Sequence, residues 1–98
     1  MKLKNYELIG LNNALGELAS EKLVGSFKFK LFKNKLKLED SILPVSKSLQ
    51  DESNEGVEEI LDLEQEIDLE LILESDLEQV PTTLKQLNAL KPILKEGE

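Results

Sequence analysis

The sequence predicts a mostly helical α+β fold in a single small domain spanning residues 1–98. Three observations carry that expectation. Leu8, Leu11, Leu15 and Leu18 recur at spacings of three and four, the mark of a helix with one apolar stripe. Leu31, Lys35, Leu38, Ile42, Val45 and Leu49 repeat in a four-three-four-three-four pattern, a heptad seam with one charged interruption. Ile67, Leu69, Leu71 and Leu73 alternate with Asp68 and Glu70, as in a strand with one buried face.

The N-terminal amphipathic helix is expected over residues 5–23. Ile9 and Ala19 widen its stripe, Asn5 is the expected N-cap, and Glu7 sits in the first turn, where the helix dipole favours an acid. Gly25 is its expected stop. Gly16, inside the run, costs about 1 kcal/mol relative to Ala unless it admits the close approach of another helix.

Residues 26–49 carry two patterns. The heptad seam favours one long second helix, kinked near Pro44, where the ring removes a backbone donor. Against it, Phe27-Lys28-Phe29-Lys30-Leu31 and Leu36-Lys37-Leu38 alternate with period two, and Lys33-Asn34 between them suits a hairpin turn. Helix is the favoured reading for residues 27–38 and hairpin the alternative.

Residues 51–56 read as a polar loop and 57–63 as a turn or two of helix. One acidic strand follows near 66–73, with Ile72 on its otherwise polar face. A lone strand cannot stand, because its backbone groups need partners. A hairpin over 27–38 would set Lys28 and Lys30 across from Asp68 and Glu70. If that segment is helical, the strand is expected to pair with the same strand of a second copy. Pro81-Thr82-Thr83 opens a short C-terminal helix capped by Thr82 or Thr83, with Leu84, Leu87, Ala89 and Leu90 as its apolar face. Pro92 ends or bends it, leaving Ile93 and Leu94 to pack on neighbours, and the tail 95–98 is expected to fray.

Composition removes several chemistries. The chain has no Cys and no His, so it has no disulfide framework, thiolate nucleophile, zinc cluster or imidazole base. Glu58, Glu59, Asp62, Glu64 and Glu66 could bind Mg²⁺ or Ca²⁺, yet no calcium-loop, phosphate-loop or nucleophile-elbow motif accompanies them. No cofactor and no enzymatic activity are expected. Met1-Lys2-Leu3-Lys4 leads into Asn5, Tyr6 and Glu7 rather than an apolar leader, and no stretch approaches the roughly 20 apolar residues of a membrane span. The expected location is a cytoplasm. A chain of this size buries only roughly 60–65% of its unfolded surface, and it has four aromatics, Tyr6, Phe27, Phe29 and Phe32. Self-association into a homo-oligomer is therefore expected.

The net charge of −8 is unevenly divided. Residues 1–50 hold nine Lys against five acids, and residues 51–98 hold three Lys against fifteen acids. Such asymmetry means a partner surface or internal complementarity. Lys28, Lys30, Lys33, Lys35 and Lys37 concentrate the positive charge. The chain has no Arg, the preferred bidentate reader of bases and phosphates, which argues against sequence-specific DNA binding.

Several short motifs stand along the chain: Lys2-Leu3-Lys4-Asn5 at the opening, Asn13-Ala14-Leu15 in the first helix, Ser75-Asp76-Leu77-Glu78 at a turn, and Ala89-Leu90-Lys91-Pro92-Ile93 at the end. With a charged second helix and an acidic alternating strand between them, the chain resembles a family of small phage and prophage proteins of low-GC bacteria that carries no assigned activity. Pro44, a shorter middle and a few extra residues after Ile93 depart from that pattern.

The resemblance implies a phage protein acting in the host cytoplasm, and small phage proteins of this kind include oligomeric sponges for nucleotide immune signals. The first expectation is therefore a non-enzymatic binder that counters host defence by holding a cyclic nucleotide or an ADP-ribose derivative in an oligomeric pocket. Lys28, Lys30, Lys33, Lys35 and Lys37 would meet phosphate, with Phe29 and Tyr6 stacking on the base. Phe27 and Phe32 read more plainly as core. The alternatives are an acidic inhibitor that imitates nucleic acid against a host defence protein, and a virion assembly or accessory protein.

Overall fold

The computed structural model describes residues 1–21, 23, 25–51, 53–78 and 80–95, with residue 54 described in its backbone alone. The chain is mostly helical α+β: β1 (Lys2–Lys4), α1 (Asn5–Leu18), α2 (Ser26–Gln50), α3 (Asn54–Asp62), β2 (Glu64–Glu66), β3 (Ile72–Leu73), α4 (Leu84–Leu90) and β4 (Leu94–Lys95). A 3₁₀ turn follows β3 at Glu74–Leu77, and another joins α4 to β4 at Lys91–Ile93. No helix among the described residues is long and apolar enough to cross a membrane.

The stripe of α1 makes the centre of the core. Leu8, Leu11, Leu15 and Leu18 are almost wholly buried, packed with Phe27, Leu31 and Leu38 of α2 and with Leu90 and Ile93 at the C-terminal end. The helix stops at Leu18, short of the expected residue 23. There Ser20 Oγ donates to the Glu17 carbonyl (2.7 Å) and the Glu21 N–H to the Leu18 carbonyl (3.0 Å), which satisfies two of the terminal acceptors. Lys22 lies outside the described residues. Gly25 does not end α1; it is the residue before α2, at φ 68°.

Asn5 does not cap α1 either. Lys4 holds the cap position, and its N–H donates to Glu7 Oε1 (2.9 Å), so Glu7 serves the first turn as expected. Asn5 is buried and fastens α1 to the chain's middle: its Nδ2 donates to the Ile60 carbonyl (2.7 Å), and its Oδ1 accepts from Gln65 Nε2 (2.7 Å).

Residues 26–50 form one helix and the hairpin does not occur. Leu31, Leu38 and Val45 of the heptad seam are buried, with Asn34 and Phe27 on the same face. The helix continues through Pro44, which with Asp40 lies on the exposed side, where water can meet the carbonyl that proline leaves without a donor. The polar loop is shorter than expected, because α3 begins at Asn54 with the Ser53 hydroxyl accepting from the Gly56 N–H.

The single acidic strand of 66–73 is replaced by two short strands at its ends. β2 pairs antiparallel with β1, Lys2 opposite Glu66 and Lys4 opposite Glu64; β3 pairs parallel with β4, Ile72 opposite Leu94. Residues 67–71 belong to neither ladder. Ile67 and Leu69 point into the core as expected. After them the alternation breaks, so that Ile72 is fully buried and Leu71 is exposed. Within the chain, the Ile67 N–H donates to the Met1 carbonyl (2.9 Å) and the Met1 amino group donates to the Ile67 carbonyl (2.9 Å). Asn34 and Lys37 of α2 reach its backbone, at Glu70 and Asp68 respectively.

α4 opens as expected, with a reciprocal cap: Thr83 Oγ1 accepts from the Gln86 N–H (3.0 Å), and Gln86 Oε1 accepts from the Thr83 N–H (2.9 Å). Leu90 is buried, but Leu84, expected on the apolar face, is 85% exposed. Pro92 turns the chain into β4, burying Ile93. Of the tail expected to fray, Lys95 pairs in β4 and residues 96–98 lie outside the described residues.

Candidate functional site

The five lysines of α2 do not form one cationic surface. At ~100° per residue they spread around the helix, and most turn toward acids of the second half of the chain. Lys30 meets Asp76 at 2.7 Å, Lys33 meets Glu70 at 3.7 Å, and Lys37 donates to the Asp68 carbonyl at 2.8 Å with that residue's carboxylate 3.9 Å away. Lys35 donates to Asn12 Oδ1 (2.8 Å) and lies 3.4 Å from Glu39, one turn on. Lys28 has no acidic partner among the described residues. Much of the charge asymmetry between the two halves is thus internal complementarity.

The Lys30–Asp76 pair is the most enclosed of these. The Asp76 side chain is only 8% exposed, and it also accepts from Ser26 Oγ (3.0 Å) and from the Leu73 N–H (2.9 Å). Burial by itself would raise the carboxyl, but the hydrogen bond from Lys30, then those from Leu73 and Ser26, together with the Lys30 charge, outweigh it. Asp76 is held below the ordinary carboxylate value. This cluster fixes the start of α2 against the turn after β3.

Phe27 is buried as expected, whereas Phe32 is not: it is more than half exposed, as is Phe29. Both line a groove of about 620 Å³ between the outer face of α2 and the segment after α1. Its apolar wall is Leu23, Leu31, Phe29, Phe32 and Leu36, and its charged rim balances Lys28 and Lys35 against Glu21 and Glu39. Tyr6 lies elsewhere, beside a separate hollow bordered by Gly10, Asn88 and Pro92, with Lys4 Nζ 5.8 Å from its ring. Of the expected binding residues, the fold therefore gathers Lys28, Phe29 and Lys35 at one groove. Lys30, Lys33, Lys37 and Tyr6 are not among its lining residues.

Phe32, Leu36 and Leu43, absent from the expected site, extend it beside Phe29. Phe29, Phe32, Leu36 and Leu43 are each more than half exposed and run along one side of α2. Their spacing of three, four and seven was present in the sequence as a second seam, masked by the alternating lysines and by the inner seam of Leu31, Leu38 and Val45. Among the described residues no group of three or more acids is arranged to hold a metal ion. Compared with protein-family models, curated proteins and solved structures, the chain finds no match in any of the three.

Proposed function

We propose that the chain is a non-enzymatic binding protein whose working surface is the outer face of α2, and that its ligand is a protein. In the phage setting implied by the motif resemblance, it would act in the host cytoplasm against a defence component. The observation that carries this reading is the exposure of Phe29, Phe32, Leu36 and Leu43 on one continuous side of a 25-residue helix. Apolar side chains gathered in this way mark interaction surfaces in otherwise charged monomers. The groove beside them has a balanced rim, which suits an amphipathic protein segment better than a polyanion.

The test is photo-crosslinking in bacterial cells, with p-benzoylphenylalanine in place of Phe29 or Phe32 and, as control, in place of the exposed Glu58. A discrete adduct from either α2 position and none from Glu58 is the expected result. No adduct from either α2 position overturns the reading.

One observation favours a nucleotide ligand as the second reading: Lys28, free of acidic partners among the described residues, stands at the same groove as Phe29 and Phe32. Native mass spectrometry with cyclic and ADP-ribose-type nucleotides addresses it. A stoichiometric added mass that disappears in Lys28→Glu would put nucleotide capture first.

A further inference from the structure

We infer that the outer face of α2 binds a second copy of this chain, helix against helix and antiparallel, about a two-fold axis near Leu36. The inference rests on that face being a binding surface and names its occupant.

The stripe from Phe29 to Leu43 spans 15 residues, about 21 Å of helix from the first to the last. Its four side chains offer on the order of 400 Å² of apolar surface per copy, about half of what each partner gives to a standard interface. Flanking polar side chains supply the remainder in ordinary interfaces, and here their charges choose the orientation.

At ~100° per residue, Lys28, Lys35 and Glu39 border the stripe on one side, and Lys33, Asp40 and Lys47 border it on the other. The first set also rims the groove. A parallel pair brings opposite borders together at equal height, so that Lys33 would face Lys28 and Lys35, and Asp40 would face Glu39. Its closest pairs, Lys33 with Lys35 and Asp40 with Glu39, repel, and the one attraction, Lys35 for Asp40 five residues on, is offset by the repulsion of Lys28 and Lys33 at the same separation. An antiparallel pair brings like borders together in reversed order. With the two-fold between residues 36 and 37, Lys33 falls opposite Asp40 of the second copy, and Lys35 falls within one residue of its Glu39. Leu36 then meets its own counterpart, and Phe29 and Phe32 close around Leu43.

The groups needed for the Lys33–Asp40 contact are available, while Lys35 and Glu39 already pair within each helix. Asp40 has no ion pair among the described residues. The Lys33–Glu70 contact is 3.7 Å between two well-exposed side chains, a pairing that costs little to exchange.

The test uses the whole chain, which contains no cysteine. Light scattering across a dilution series should give twice the 11.1 kDa chain mass, and Phe32→Glu or Leu36→Glu should halve it with the far-ultraviolet circular dichroism unchanged. Mixing Phe29→Cys protein with Leu43→Cys protein under mild oxidation should give the mixed disulfide in excess over either symmetric one. Lys33→Asp and Asp40→Lys should each weaken the dimer, and the double variant should restore it. A monomeric mass at every concentration overturns the inference, whether the protein then binds anionic vesicles or stays free. Symmetric 29–29 disulfides overturn the antiparallel arrangement. A monomer whose crosslinks at Phe32 reach a host protein would defeat this inference alone. A monomer without any crosslink would defeat the binding surface as well.

Discussion

Asn34 of α2 acts as a strand for Glu70. Fully buried, it donates from Nδ2 to the Glu70 carbonyl (3.0 Å) and accepts from the Glu70 N–H at Oδ1 (2.8 Å). Both backbone groups of a residue outside any ladder are satisfied by one side chain, as a neighbouring strand would do. Asn34→Leu keeps the branched outline of the side chain and removes both bonds. It should destabilise the protein by about 2–4 kcal/mol, since two backbone groups and no compensating partner remain. Denaturant unfolding measures this. A loss below about 0.5 kcal/mol would mean that water or a shifted backbone replaces the asparagine.

Asp76 gives the fold a defined acid sensitivity. Its carboxyl is held below the ordinary value, so over that interval the unfolded chain takes up the proton that the folded one refuses. The contribution is complete above the ordinary carboxylate value of about 4 and is lost as the pH falls through the lowered value. Asp76→Asn should cost about 1–3 kcal/mol near pH 7, from the weakened bonds to Lys30, Leu73 and Ser26. Unfolding curves of the two proteins should converge as the pH is lowered below 4. A gap that stays constant with pH would show that the bonds matter and the charge does not.

Two glycines should respond in opposite directions. Gly16 lies inside α1, and a Cβ there would meet only Lys35 Nζ at 3.6 Å, an ordinary contact. Gly16→Ala should raise stability by about 0.5–1 kcal/mol through helix propensity. Gly25 sits at φ 68° and ψ −154°, a conformation nearly reserved for glycine, with open space around its Cβ position. Gly25→Ala should therefore cost about 1–3 kcal/mol from the backbone alone. Thermal unfolding of both variants is the check, and the same sign in both would contradict it.

The parts of this fold that were readable in the sequence are those whose signal lies in their own periodicity. Leu8, Leu11, Leu15 and Leu18 announce α1, and Leu31, Leu38 and Val45 announce the inner face of α2. Where an element depends on a distant side chain, the pattern misleads. Residues 67–71 alternate like a strand, yet two of the groups that meet their backbone, Asn34 and Lys37, are side chains of α2, and in the sequence Asn34 looks like a hairpin turn. Helix ends shifted for a similar reason, because Asn5 spends its cap-forming side chain on Ile60 and Gln65. At the candidate site the lysine cluster was visible and its commitments were not: only packing α2 against residues 68–76 shows which cations are taken. Phe29 and Phe32 stood in plain view, but a phenylalanine at helical spacing is core more often than surface, and Phe27 obeys that rule where Phe32 does not.

Those commitments separate lysines that look alike in the sequence. Lys30 and Lys28 are two residues apart, yet Lys30 is pressed against a nearly buried carboxylate and Lys28 stands at the open groove. Lys30→Glu would set a second carboxylate beside Asp76 and also remove its charged donor. It should destabilise the protein by about 3 kcal/mol or more, the usual result when one member of an enclosed pair is reversed. Lys28→Glu replaces an exposed cation with no acidic partner among the described residues, and its unfolding midpoint should match that of the parent chain. Any ligand attributed to the lysine cluster must therefore be tested at Lys28, because loss of binding in Lys30→Glu would report unfolding. If Lys30→Glu unfolds at the parent's midpoint, the pair with Asp76 does not hold the start of α2, and Lys30 returns to the set of available cations.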